Sequence, residues 1–149
     1  MSGFVPVPDV LSMLICDQII TDRITGKQSL IGIFSTIHSF RFPVVQPQLC
    51  VYVALTDGRG KTPLTIRIVD SEDARPPLVE GTGMVEFASP RAIANLALQF
   101  HGLRFPEPGE YRVQLVCNDT PLREGRLMLR KAKRPPHPAG PPPQQPPEV

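Results

Sequence analysis

Apolar and polar residues alternate with a period of two through most of the chain, and that pattern predicts strands. The clearest run follows Pro108-Gly109: Tyr111, Val113, Leu115 and Cys117 share one face, while Arg112, Gln114 and Asn118 share the other. Asn118-Asp119-Thr120-Pro121 supplies turn chemistry, so 122–129 returns antiparallel and the fold closes in a hairpin. A strand entered through Pro108-Gly109-Glu110-Tyr111 suits the penultimate strand of an antiparallel sandwich.

Upstream, 11–21 reads as a first strand with Asp17 in its middle, and 22–27 as a turn. Residues 29–40 continue as one long, central strand, with Ile31, Ile33 and Ile37 on one face and Leu30, Phe34, His38 and Phe40 on the other. Pro43 and Pro47 lack the ladder donor and mark a crossing between sheets. In 49–56 both faces are apolar, Leu49, Val51, Val53 and Leu55 against Cys50, Tyr52 and Ala54, which implies a strand covered on both sides. Asp57-Gly58-Arg59-Gly60 predicts a hairpin, with 62–69 as its returning strand.

Beyond a polar loop at 70–77, Val79, Gly81, Gly83, Val85 and Phe87 form one row. Its two glycines indicate a bulge or a close approach of sheets. In 92–103, Leu96, Leu98 and Phe100 favour a strand preceded by one helical turn. The expected fold is all-β: an antiparallel two-sheet sandwich of about eight strands over 11–130, Ig-like or C2-like. An extended lead-in occupies 1–10. The Pro-rich segment 131–149 has no apolar residue larger than Ala before Val149, so it is expected to be disordered with polyproline II character.

With 149 residues and 41% apolar content, the chain is large enough for one core without disulfides or metals. Its charge is unevenly placed. Arg130, Lys131, Lys133 and Arg134 face only Glu148 in the last twenty residues, so of the net +2 the tail holds +3 and the remainder −1. The body therefore has no broad field for nucleic acid. Cys16, Cys50 and Cys117 lie in apolar runs and read as buried thiols of a reducing cytoplasm, with a Cys50–Cys117 bridge as the alternative. The apolar stretch 10–20 is interrupted by Asp17 and Gln18 and has no Lys or Arg ahead of it, so neither a signal peptide nor a membrane span is expected.

Candidate chemistry is sparse. Gly60-Lys61-Thr62 lacks the earlier glycine of a phosphate loop, where Leu55 stands, and precedes a strand instead of a helix. His38, His101 and His137 do not fall at ligand spacings, so no cofactor or metal is expected. Asp17 stands in an otherwise apolar strand and reads as a structural polar residue, with Lys27 as its partner. Simple alternation of strand direction brings Asp22, Asp57 and Asp119 to one end, as C2-like domains do to collect calcium. Single aspartates are also what ordinary turns supply. The cations Arg130, Lys131, Lys133 and Arg134, followed by PxxP spacings, are the candidate partner-binding residues.

The blocks Ile15-Cys-Asp-Gln-Ile-Ile20, Gly26-Lys-Gln-Ser-Leu-Ile-Gly-Ile-Phe34, Val51-Tyr-Val-Ala-Leu-Thr-Asp-Gly-Arg-Gly60 and Pro108-Gly-Glu-Tyr-Arg-Val-Gln-Leu115 resemble a family of small bacterial proteins of unknown function. The resemblance covers 13–129 and implies a β-sandwich in a bacterial cytoplasm, with no catalytic residues to carry over. The expected function is a non-catalytic scaffold or interaction module with a protein partner, its oligomeric state open. The alternatives are an enzyme whose site assembles only in three dimensions around His38 or His101, and a peripheral lipid- or calcium-binding domain.

Overall fold

The computed structural model describes residues 7–72 and 75–133. Among these residues nine strands form in chain order: β1 Asp9–Thr21, β2 Gln28–Ile33, β3 Thr36–Ser39, β4 Val44–Thr56, β5 Gly60–Asp70, β6 Val79–Phe87, β7 Ala94–Phe105, β8 Gly109–Cys117 and β9 Thr120–Lys131. They make a four-stranded sheet, β2-β1-β4-β7, and a five-stranded sheet, β3-β9-β8-β5-β6. Inward rows of both sheets share one core, which includes Val51, Val53, Leu64, Ile66, Phe105, Val113 and Leu127. The all-β expectation holds.

The closing hairpin is as expected. Tyr111, Val113, Leu115 and Cys117 are buried, and Asn118 and Asp119 take left-handed dihedrals (φ 48° and 65°) between the paired Cys117 and Thr120. Two such residues match the twist that a two-residue hairpin loop requires. Pro121 belongs to β9, where it pairs with Val116. The glycines of β6 mark a close approach, since a Cβ on Gly81 or Gly83 would meet the Phe100 ring at 2.9 Å or Leu96 at 2.5 Å. Residues 94–105 are strand throughout, without the helical turn.

Three expectations fail for one reason: local pattern does not say which strand is a neighbour. The long central strand is two short edge strands, because the chain changes sheets at Phe34-Ser35, where Phe34 N–H donates to Ile15 O at 3.0 Å and Met128 N–H to Ser35 O at 2.9 Å. Ile31 and Ile33 consequently face outward, while Ile37 packs on the core. The turn at Asp57-Gly58-Arg59 closes no hairpin and carries the chain from β4 in one sheet to β5 in the other. Nor is the fold wholly antiparallel, for β3 runs parallel to β9.

The extra strand also reverses every later direction relative to the expectation. The start of β1 meets the end of β4, Asp9 opposite Thr56, which puts Asp57 at the pole opposite Asp22. Asp119 belongs with Asp57, since Arg123 near the start of β9 donates to Val10 O at 3.2 Å. The aspartate cluster required for calcium does not form.

Candidate interaction surface

The backs of the two sheets differ in chemistry. In the four-stranded sheet the core row of β4, Leu49, Val51, Val53 and Leu55, is fully buried, so its alternate row points away from the core. Pairing registers align that row, Gln48, Cys50, Tyr52 and Ala54, with Ser12, Leu14 and Cys16 on β1 and Asn95, Ala97, Gln99 and His101 on β7. Gln18 and Ile20 on β1 extend it to Ile31 and Ser29 on β2, and Cys16 to Ile33. No Asp, Glu, Lys or Arg stands among these positions. Leu14, Ile20, Ile31 and Ile33 are 38%, 44%, 44% and 59% exposed. No third layer of described strands covers this face, and Leu14 and Ile33 line an open hollow with Gly125 and Arg126 where β1 nears β9. The double-sided apolar pattern of β4 is real, but the described chain covers one side only.

The back of the five-stranded sheet is laced with charge. Arg112 contacts Glu124 at 3.1 Å and Glu110 at 3.4 Å, and Gln114 donates to the second Glu124 oxygen at 2.8 Å. Arg126 approaches Glu110 at 4.0 Å. Arg67 Nε lies 3.3 Å from Glu80 Oε2, within ion-pair range but off the hydrogen-bonding angle, so that N–H has no hydrogen-bond partner.

The candidate residues are scattered. Asp17 is exposed, with its carboxylate over Gly32, where an added Cβ would come within 2.5 Å of Oδ2. Gly32 holds φ +70°, so Asp17 and Gly32 are matched in shape. No ion pair joins Asp17 to Lys27 among the described residues; its carbonyl oxygen accepts from Gln48 Nε2 at 3.1 Å and from the Cys50 thiol at 3.7 Å. His38 lies beside Arg130 in the β3–β9 ladder, in the opposite sheet from His101. No three His, Cys, Asp or Glu side chains converge on a metal position among the described residues.

All three cysteines are buried and free, and burial pushes the Cys16 and Cys117 thiols up. Cys50 and Cys117 belong to different sheets, so the alternative bridge has no neighbouring strands to span; Cys50 instead faces Cys16 across β1 and β4. At the poles, Asp22 Oδ1 accepts from the Thr25 and Ile24 N–H groups at 2.8 Å each, which lowers its pKa, while a hydrogen bond shared with Asp9 raises that of Asp57.

Of the basic candidates, Lys131 and Lys133 line an open hollow of about 600 Å³ with Phe40, Arg41 and Ala132. Arg130 precedes them on β9, and Arg134 and the Pro-rich segment after it lie outside the described residues. Arg41, remote in sequence, reaches this corner because β3 runs beside β9 and Ala132 N–H donates to Ser39 O at 2.8 Å. No periodicity signals that meeting.

Residues 11–130 match one family model over most of the chain. The chain belongs to DUF6941, a family of unknown function. No curated protein matches this DUF6941 domain. Among solved structures it is similar to the Pseudomonas fluorescens alkylpurine DNA glycosylase AlkC bound to DNA containing an abasic site analog, with 12% identity and a TM-score of 0.43 over 79% of this chain and 30% of that one. It is also similar to a β-glucosidase from Listeria innocua in complex with isofagomine, with 10% identity and a TM-score of 0.44 over 84% of this chain and 16% of that one. Likenesses this distant carry nothing about activity. No helix among the described residues is long and apolar enough to cross a membrane.

Proposed function

We propose that the DUF6941 domain is a non-catalytic binding module that docks a protein on the outer face of its four-stranded sheet. One observation carries the reading: a continuous sheet face whose central positions hold no charged side chain, with four exposed aliphatic residues, on a chain whose other sheet back is dense in ion pairs. Depletion of charge around a buried apolar centre is the compositional mark of protein interfaces. Apolar patches left open to water are uncommon on free-standing domains. Tyr111, whose hydroxyl donates to Glu107 O at 2.7 Å just upstream, supports an Ig-like reading of the fold over a C2-like one. Buried, unbridged thiols suit a reducing cytoplasm.

The hollow at Phe40, Arg41, Lys131 and Lys133 favours a second contact, with an acidic stretch of the same partner. A photo-crosslinking residue placed at Ile31, and separately at Gln114 on the opposite sheet back, tests the main reading in living cells. Adducts to protein from Ile31 and none from Gln114 are expected. Equal labelling from both, or none from Ile31, overturns it.

A further inference from the structure

We infer that the occupant of the uncharged face is a second copy of this chain, packed sheet on sheet across a two-fold axis. The inference rests on the docking reading and adds the partner. In an isologous contact each patch meets its own equivalent, so any charge near the axis would face its own sign. The central positions of the outward rows of β1, β2, β4 and β7 contain no such charge, Asp9 and Arg104 standing only at opposite ends of the sheet, whereas the other sheet back would bring Arg112, Arg126 and Glu110 against their copies. A face meant for a dissimilar partner has opposite charges available for steering and register; the centre of this one uses none.

Its polar groups are self-complementary. Gln18, Gln48, Gln99 and Asn95 carry amides, each both donor and acceptor, so an identical row can pair with itself. Gln18 lies among the apolar positions Leu14, Ile20, Ile31 and Ile33 of β1 and β2, and the other three continue the face across β4 and β7. Size is adequate as well. Four strands about 4.8 Å apart, with about eight residues each at roughly 3.3 Å rise, give a footprint of about 500 Å². The accessible surface of such a corrugated layer exceeds its footprint and approaches the roughly 800 Å² per partner of a standard interface. Dimerisation also covers the half-buried Gln48 and Tyr52 on the outward row of β4, where Cys50 and Ala54 are already shielded by neighbouring side chains.

Sedimentation equilibrium of the full chain over a wide concentration range tests this. The mass is expected to approach two chains and to fall toward one on dilution. Ile33→Lys should weaken the dimer at least tenfold, while Met84→Lys, equally exposed on the opposite sheet back, should leave it unchanged. Ala97→Lys repeats the test on β7 should Ile33→Lys fail to fold, with circular dichroism as the check. A chain ended after Lys133 should dimerise as the full chain does; loss of the dimer on that truncation would assign the contact to the tail and overturn the inference. A wild-type monomer at every concentration also overturns it. If Ile31 then still crosslinks to a different protein in cells, the docking reading survives alone; if it does not, both fall.

Discussion

Two sheets contribute to one core in this domain, yet their outer faces have opposite compositions. Behind the five-stranded sheet, Arg112, Glu110, Glu124 and Arg126 form exposed ion pairs, each worth little in water. Behind the four-stranded sheet charge is confined to Asp9 and Arg104 at opposite ends, and Ile31 and Ile33 are open to solvent. Folding does not demand that difference, because the inward rows alone make the core. The ion-paired face is suited to remain wet, and the uncharged face to be covered.

Both faces are backs of one packed unit, and the largest expected effect tests that. Phe105→Ala removes a fully buried ring standing edge-on to Tyr111 (centroids 5.1 Å apart), and should cost about 3–5 kcal/mol in denaturant unfolding. A loss below about 1 kcal/mol would mean that the sheets do not depend on a shared core. Tyr111→Phe keeps the packing and removes the hydroxyl that donates to Glu107 O, so about 1 kcal/mol is expected. Arg112→Ala on the charged back and Ile33→Lys on the uncharged back should each change the stability of the monomer by less than about 1 kcal/mol. If Ile33→Lys unfolds the monomer, that face is structural and the contrast loses its meaning.

Thiol accessibility gives a smaller signal. Cys16 and Cys50 stand on the outward row but are shielded by neighbouring side chains, so a thiol reagent should label all three cysteines only as the protein unfolds. Rapid labelling of the native state would show that side chains on the sheet back open readily to solvent. The smallest effects lie at the poles. Asp22, with its folded pKa lowered, contributes stability present above its unfolded pKa and lost as pH falls through the folded value. Asp57, with its folded pKa raised, contributes stability present below its unfolded pKa and lost as pH rises through the folded value. Carboxyl NMR titration should therefore find Asp22 below and Asp57 above the ordinary aspartate range; a reversed order would contradict the hydrogen bonds at both ends.

Much of this fold is legible in sequence wherever one residue's neighbours decide its state. The Tyr111–Cys117 alternation, the Asn118-Asp119 turn and the paired glycines of β6 are local signals, and the structure agrees with each. The change of sheet at Phe34-Ser35 is set by distant partners, Ile15 and Met128, and no local pattern announces it. A related shift hides in β4 and β7. Pro47 stands opposite Gly102 (φ +63°), and past that point the inward row moves by one residue, from Phe100 to Leu103 and Phe105. The candidate surface was half visible, since the uncharged second row of β4 stands in the sequence. Its continuation through β1, β2 and β7 depends on strand order, which alternation cannot supply.

The place of β9 has a consequence for assembly. Although last among the described strands, it lies between β3 and β8, so it is inserted and not appended. A polypeptide stopped before Thr120 would keep a vacant slot flanked by two unsatisfied backbone edges, with Leu127 and Leu129 missing from the floor beneath. Such a fragment is a natural receptor for its own missing strand, and a synthetic peptide of residues 120–131 should restore it in trans.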